Sequence, residues 1–183
     1  MKTKCICILL LISCIASAQE NGGSKNKSYL KTVDTANIAV LYTYYHKRDS
    51  TVEGYYSEPF RLYVYKERSA FYNYNQYRRD SITAFGLMNN KNPYDIVEER
   101  AQYTPGEEWC VRKNMKAKRY TYTHPMAFYY ITAHGDLITP KWKIYDDSIR
   151  VIAGYPCKLA WGTLYGRRWK AWFCPEIPVN DGP

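Results

Sequence analysis

The sequence predicts a mainly β protein: an antiparallel meander sheet, compatible with an open half-barrel, with at most one short helix. Three observations predict it. Twenty tyrosines, five phenylalanines and five tryptophans make the chain 16% aromatic, and aromatic and β-branched residues fit a pleated, half-buried surface. Several stretches alternate apolar and polar residues with a period of two, as strands with one wet side do. No stretch repeats apolar residues at helical spacing over three turns, although Tyr94 to Tyr103 has the makings of one short helix.

In chain order, Met1 to Lys4 is a short basic region and Cys5 to Ile15 is an apolar run of eleven residues. Ala16-Ser17-Ala18 then supplies a small-x-small cleavage site ahead of polar Gln19-Glu20. This is the pattern of a secretory signal peptide, too short to span a bilayer, with cleavage expected between Ala18 and Gln19. A second reading takes Leu11-Ile12-Ser13-Cys14 as a lipobox, with Cys14 acylated and membrane-anchored. A third, a buried N-terminal strand, is disfavoured by the linker-like Asn21-Gly22-Gly23-Ser24 run that follows. Residues 1–18 are thus the expected leader, 19–35 a flexible linker and 36–183 one domain. Loss of the leader takes Lys2 and Lys4 and no acid, so the net charge falls from +9 to +7. The 165 residues that remain of 183 suffice for one core, burying roughly two-thirds of the unfolded surface.

Ile38, Val40, Tyr42 and Tyr44 alternate with Ala39, Leu41, Thr43 and Tyr45, and His46 to Ser50 reads as a turn. In the next strand Phe60, Leu62 and Val64 are assigned to the core, and Arg61, Tyr63 and Tyr65 to water. Arg119 to Thr123, Met126 to Thr132 and Ile149 to Ile152 repeat the rhythm, and His134-Gly135-Asp136 and Thr139-Pro140 punctuate the middle. At the end, Gly154 to Leu164 and Arg167 to Cys174 form a hairpin around Tyr165-Gly166, where glycine supplies a positive φ.

Three cysteines follow the leader: Cys110, Cys157 and Cys174. An exported chain tolerates disulfides, so one pair and one odd thiol are expected. Hairpin register decides the pair. A two-residue loop sets Leu164 against Arg167 and Cys157 directly across from Cys174. A three-residue loop sets Leu159 against Phe173, Trp161 against Ala171 and Thr163 against Trp169, and turns the two cysteines to opposite faces. Turn chemistry favours the first and face segregation the second; Cys157 and Cys174 are the candidate disulfide.

The C-terminal block carries a resemblance. Gly154, Tyr155, Cys157 and Ala160, the turn residues Gly166 and Arg167, then Ala171, Trp172, Glu176, Ile177, Pro178, Gly182 and Pro183 follow the order seen in the GLPGLI family (Porph_ging). Leu62-Tyr63-Val64, Ser69-Ala70-Phe71-Tyr72, Asp80-Ser81 and Trp142-Lys143-Ile144 are similar to the family upstream, so the likeness runs from about residue 36 onward. The resemblance implies an exported protein of Bacteroidetes-type Gram-negative bacteria, in the periplasm or outer envelope. It transfers no catalytic residue. The name-giving Gly-Leu-Pro-Gly-Leu-Ile segment does not occur before Pro183, so the resemblance implies a domain that is incomplete at its C-terminus.

Independent signs of chemistry are few. His46, His124 and His134 share no motif spacing, and Glu98-Glu99, Glu107-Glu108 and Asp146-Asp147 read as solvated turns rather than paired acid–base groups. The cysteines fit no zinc signature, and nucleophile elbow, P-loop and dinucleotide fingerprints are missing. No catalytic, cofactor-binding or metal residue is therefore assigned and no cofactor is expected. The basic surplus is read as a solubilising surface or as a match for an anionic membrane surface, with no nucleic acid expected. Two functional expectations follow. The first is non-enzymatic binding of a lipid or an envelope protein; the second is a small envelope hydrolase without identifiable catalytic residues.

Overall fold

The computed structural model describes residues 9–11, 36–126, 129–179 and 181–182. The strand-rich class holds, in two open antiparallel sheets. The larger follows chain order through β1 (Leu9–Leu11), β2 (Ile38–His46), β3 (Tyr56–Val64), β4 (Arg68–Asn73), β5 (Cys110–Asn114), β6 (Arg119–Met126) and β7 (Tyr129–Asp136). The smaller holds β8 (Lys143–Ile152), β9 (Tyr155–Leu164) and β10 (Arg167–Phe173), with β9 central. Neither closes into a barrel. Three residues of the N-terminal apolar run form β1, pairing Leu9 with Thr43 and Leu11 with Leu41. An extended apolar segment there satisfies the backbone edge that β2 would otherwise present. Cys14, the Ala18–Gln19 site and residues 19–35 lie outside the described residues.

The core sits where the alternation places it. Val40, Tyr42, Phe60, Leu62 and Phe71 form one buried cluster on a single face of β2, β3 and β4, with Ile38, Tyr44, Val64 and Trp109 packed against it. Phe60 is 0% and Leu62 1% exposed, and burying such side chains stabilises by roughly 1.5–3 kcal/mol each. The opposite face differs from expectation. Arg61, Tyr63 and Tyr65 are half-buried, because the chain after β4 turns back as helix α1 (Tyr74–Met88). The Arg61 guanidinium lies 3.6 Å from the Tyr74 ring centroid and donates to Tyr63 Oη at 3.1 Å. Tyr72 meets Tyr77 at 5.1 Å.

Two helices stand where at most one was expected. α2 (Pro93–Ala101) lies within two residues of the predicted span, with Asn92 as N-cap, Pro93 in its first turn and Asp95 beside it. These are ordinary start signals. α1 was not predicted because its sequence carries almost no apolar stripe, and Gly86 is its one buried residue. Its start signal was nevertheless present. Asn73 Oδ1 accepts from Gln76 N at 3.0 Å, a cap residue followed three positions later by glutamine. Gly86 lets the helices touch, since a Cβ there would come within 2.6 Å of Ile96 Cδ1. Arg79 Nη1 donates to the carbonyls of Arg100 and Tyr103 at 3.0 and 2.9 Å, binding α1 to the end of α2.

The strand expected over 126–132 is two strands, with Met126 paired to Tyr129 across a hairpin. His134 to Asp136 continues β7 instead of breaking it. At the β9–β10 hairpin, Leu164 pairs with Arg167 and Phe173 with Lys158, so the loop is the two-residue one. Tyr165 and Gly166 have φ of 50° and 70°, the pair of positive values that a type I′ turn needs.

Candidate functional site

At one end of the aromatic face the sheet gathers a polar cluster. In the β2–β3 pairing Tyr44 faces Glu58 and His46 faces Tyr56. Alternation therefore brings His46 and Glu58 onto the face that carries Tyr42 and Phe60. Asn73, the last residue of β4, pairs with Phe60 and is buried beside them. The loop from α2 to β5 then delivers Gly106 and Glu107.

Glu58 is the centre of the cluster. Its Oε1 lies 2.8 Å from His46 Nε2. Its Oε2 accepts from Asn73 Nδ2 and from the Glu107 backbone N–H, both at 2.6 Å. His46 Nδ1 in turn lies 4.0 Å from Glu107 Oε1, and Arg48 Nη2 stands 3.9 Å from Glu58 Oε1. A carboxylate this buried needs such partners, because an unpaired one costs several kcal/mol. The loop approaches so closely that a Cβ on Gly106 would sit 2.2 Å from Glu58 Oε2.

Aromatic rings wall the cluster. Tyr44 stacks on His46 with centroids 5.1 Å apart and planes 15° apart, and Tyr56 lies 5.7 Å from the imidazole. Trp109 meets Tyr44, Phe60 and Phe71. Burial, then the negative charges of Glu107 and Glu58, push the Tyr44 phenol above its ordinary value. Burial and Glu107 do the same to Tyr122. These phenols stay protonated at neutral pH.

The structure thus joins His46 to Glu107, two residues the sequence placed in separate turns, and adds Glu58 and Asn73, which it did not single out. A signal existed for Glu58: it stands two residues before Phe60, a charge on the apolar side of a strand. The other candidates do not converge. His134 is exposed on β7 and contacts Thr121 Oγ1 at 3.1 Å. His124 lies on β6, its Nδ1 buried and without a hydrogen-bond partner among the described residues. Glu99 pairs with Lys91, and Asp146, in the irregular stretch of β8, binds Lys158 Nζ at 2.6 Å.

The C-terminal block forms the smaller sheet. Gly154 turns from β8 into β9 with φ 87°. Tyr155, Cys157 and Ala160 lie on β9, and Arg167, Ala171 and Trp172 on β10, with Ala171 opposite Ala160. Glu176, Ile177 and Pro178 follow β10. Gly182 and Asp181 reach back to Lys113 of β5, which donates to the Gly182 carbonyl and, at 2.8 Å, to Asp181 Oδ1. Pro183 lies outside the described residues. The structure shows no disulfide among the described residues, and Cys110, Cys157 and Cys174 are present as thiols. Cys174 falls one residue past the last paired position of β10, Phe173. Burial, with Cys174 adding to it, raises the Cys157 thiol above its usual value, and burial raises Cys110 against the pull of Arg112.

The smaller sheet also bears an open groove of about 570 Å³. Ile138, Trp161 and Leu164 give it an apolar lining, to which Lys141, Lys143 and Arg168 add three cations and no residue adds a carboxylate. Trp161 pairs with Lys143 on one side and Lys170 on the other. Arg168 lies 5.9 Å and Lys170 5.7 Å from its ring centroid. Gly162 keeps the floor low, since a Cβ there would meet Pro140 Cβ at 2.7 Å.

Among the described residues no helix is long and apolar enough to cross a membrane. A scan against protein-family models and searches of curated proteins and solved structures returned no match to this chain.

Proposed function

We propose that this chain is an exported envelope protein that binds an anionic amphiphile in the groove of β8–β10 without transforming it. The observation that carries this is the groove's composition: apolar side chains together with three cations and no carboxylate in its lining. Apolar side chains there exclude water from an acyl chain at about 0.8 kcal/mol per buried methylene. Lys141, Lys143 and Arg168 attract the headgroup, and a basic side chain near an anionic lipid surface contributes about 1 kcal/mol. The leader-like N-terminus, the net charge of +7 left after its loss and the resemblance to an exported family support the same setting.

Export also supports oxidation of the hairpin. Extension of the pairing one residue beyond Phe173 and Lys158 would bring Cys174 opposite Cys157 in a non-hydrogen-bonded site, where Cα atoms approach to about 4.5 Å. That separation suits a disulfide. An oxidised dithiol oxidoreductase would accept the two electrons and two protons.

Vesicle binding tests the function. Trp161 fluorescence, followed against a Trp161→Phe control, should change with phosphatidylglycerol vesicles and much less with phosphatidylcholine. Lys143→Glu with Arg168→Glu should weaken the anionic response by roughly tenfold or more, since each reversal removes about 1 kcal/mol or more. Equal responses to both lipids, untouched by the charge reversals, would end the amphiphile proposal.

A further inference from the structure

We propose that His46, Glu58 and Glu107 form a site for a divalent transition-metal ion of the zinc class, separate from the groove of the smaller sheet. One donor atom from each of the three residues lies within 4.8 Å of the other two. They come from the end of β2, from β3 and from the loop before β5, so the ligands are held by three different segments. One imidazole and two carboxylates suit zinc and its first-row neighbours. Bonds of about 2.0–2.2 Å to such an ion require donors roughly 3–3.5 Å apart. His46 Nε2 stands 2.8 Å from Glu58 Oε1 and the other ring nitrogen, Nδ1, 4.0 Å from Glu107 Oε1; with one ring nitrogen as ligand, the three donors lie within 4.8 Å of one another. Drawing the three donors in from within 4.8 Å to the spacing such bonds require would convert a hydrogen-bonded cluster into a coordination shell.

The surroundings are arranged for such a conversion. Asn73 Nδ2 and the Glu107 N–H both grip Glu58 Oε2, which leaves Oε1 as the carboxylate oxygen turned to the imidazole. Outer partners of this kind orient metal ligands and sharpen their affinity. The Tyr44 ring, stacked at 15°, fixes the plane of His46. Gly106 has no side chain to block the approach of the loop, and the Glu107 side chain retains enough exposure to close over an entering ion. Two carboxylates supply the charge a divalent cation needs. The nearby cation Arg48 has a side chain 57% exposed and contacts Glu58 only at 3.9 Å, so it can withdraw into solvent.

The test uses the untagged 183-residue chain, freed of metal with a chelator and titrated with Zn²⁺ by calorimetry and with Co²⁺ by absorption. One ion per chain is expected, with a Co²⁺ spectrum that lacks the intense charge-transfer band a thiolate ligand would give. Glu107→Gln should weaken Zn²⁺ binding by roughly tenfold or more, while the metal-free protein keeps its melting temperature. The backbone N–H that secures Glu58 survives in that variant, so loss of binding cannot be blamed on unfolding. His46→Gln should weaken binding similarly, and Glu98→Gln should leave it unchanged. No heat and no Co²⁺ band in the wild type, a thiolate band, or unaltered binding by Glu107→Gln would each overturn the site.

Discussion

Replacing Gly106 by alanine probes how firmly the loop before β5 is clamped on the buried carboxylate. The added methyl would lie 2.2 Å from Glu58 Oε2, 2.5 Å from Asn73 Nδ2 and 3.0 Å from Glu58 Cδ. None of these atoms is the free end of a mobile side chain. Glu58 is fixed by His46, Asn73 and the Glu107 N–H, and Asn73 is also the cap of α1. Relief requires the loop to withdraw by about 1 Å, since ordinary contact begins near 3.4 Å. Withdrawal breaks the bond from Glu107 N and loosens that from Asn73. Hydrogen bonds to a charged group contribute about 1.5–3 kcal/mol each. Against this, alanine restricts the unfolded chain and returns about 0.4–1 kcal/mol. A net loss of about 2–4 kcal/mol follows, or roughly 4–16 °C in melting temperature for a domain of this size. Thermal unfolding by circular dichroism reads it directly. A melting temperature equal to or above that of the wild type would refute the clamp, because it would show the loop free to move away from β3.

Phe60→Ala should cost about 3–5 kcal/mol, since Phe60 is fully buried among Tyr44, Phe71 and Trp109; a loss under about 1 kcal/mol in urea unfolding would place the core elsewhere. Protein matured in an oxidising compartment should be lighter by two hydrogens, with Cys157 and Cys174 linked in one proteolytic fragment and Cys110 alkylatable after unfolding. Recovery of all three as alkylated thiols under non-reducing conditions would exclude the hairpin disulfide.

Legibility in the sequence followed the length of each signal. β2 and β3 are long, regularly alternating and bounded by turn residues, so the existence of both and the buried face of β3 could be read. α1 could not, because Tyr74 to Met88 packs through tyrosines, arginine stems and one glycine and not through an apolar stripe. Only the Asn73 to Gln76 cap announced it. The strand drawn across Met126 to Thr132 merged β6 with β7, since nothing between them has the glycine or asparagine that marks a tight turn. At the β9–β10 hairpin local turn geometry prevailed over segregation of faces. Tyr165 tolerates a positive φ there, and that fixes the two-residue loop. The polar cluster was half legible. The parity that buries Tyr42 and Phe60 also buries His46 and Glu58, but Glu107 arrives through a loop whose path no local pattern encodes.

The unbroken pairing of β2 with β3, from Ile38 opposite Val64 to His46 opposite Tyr56, limits how this lineage can change its length. A single residue inserted within either strand would turn the downstream half over. Such a change would put Pro59 or Arg61 where Phe60 belongs and carry Glu58 or His46 out of the cluster. Gains and losses confined to 47–55, beyond the last paired position, leave that parity intact. Drift in this protein is therefore channelled. The hairpin tip can lengthen freely, while the two strands behind it can change side chains but not count.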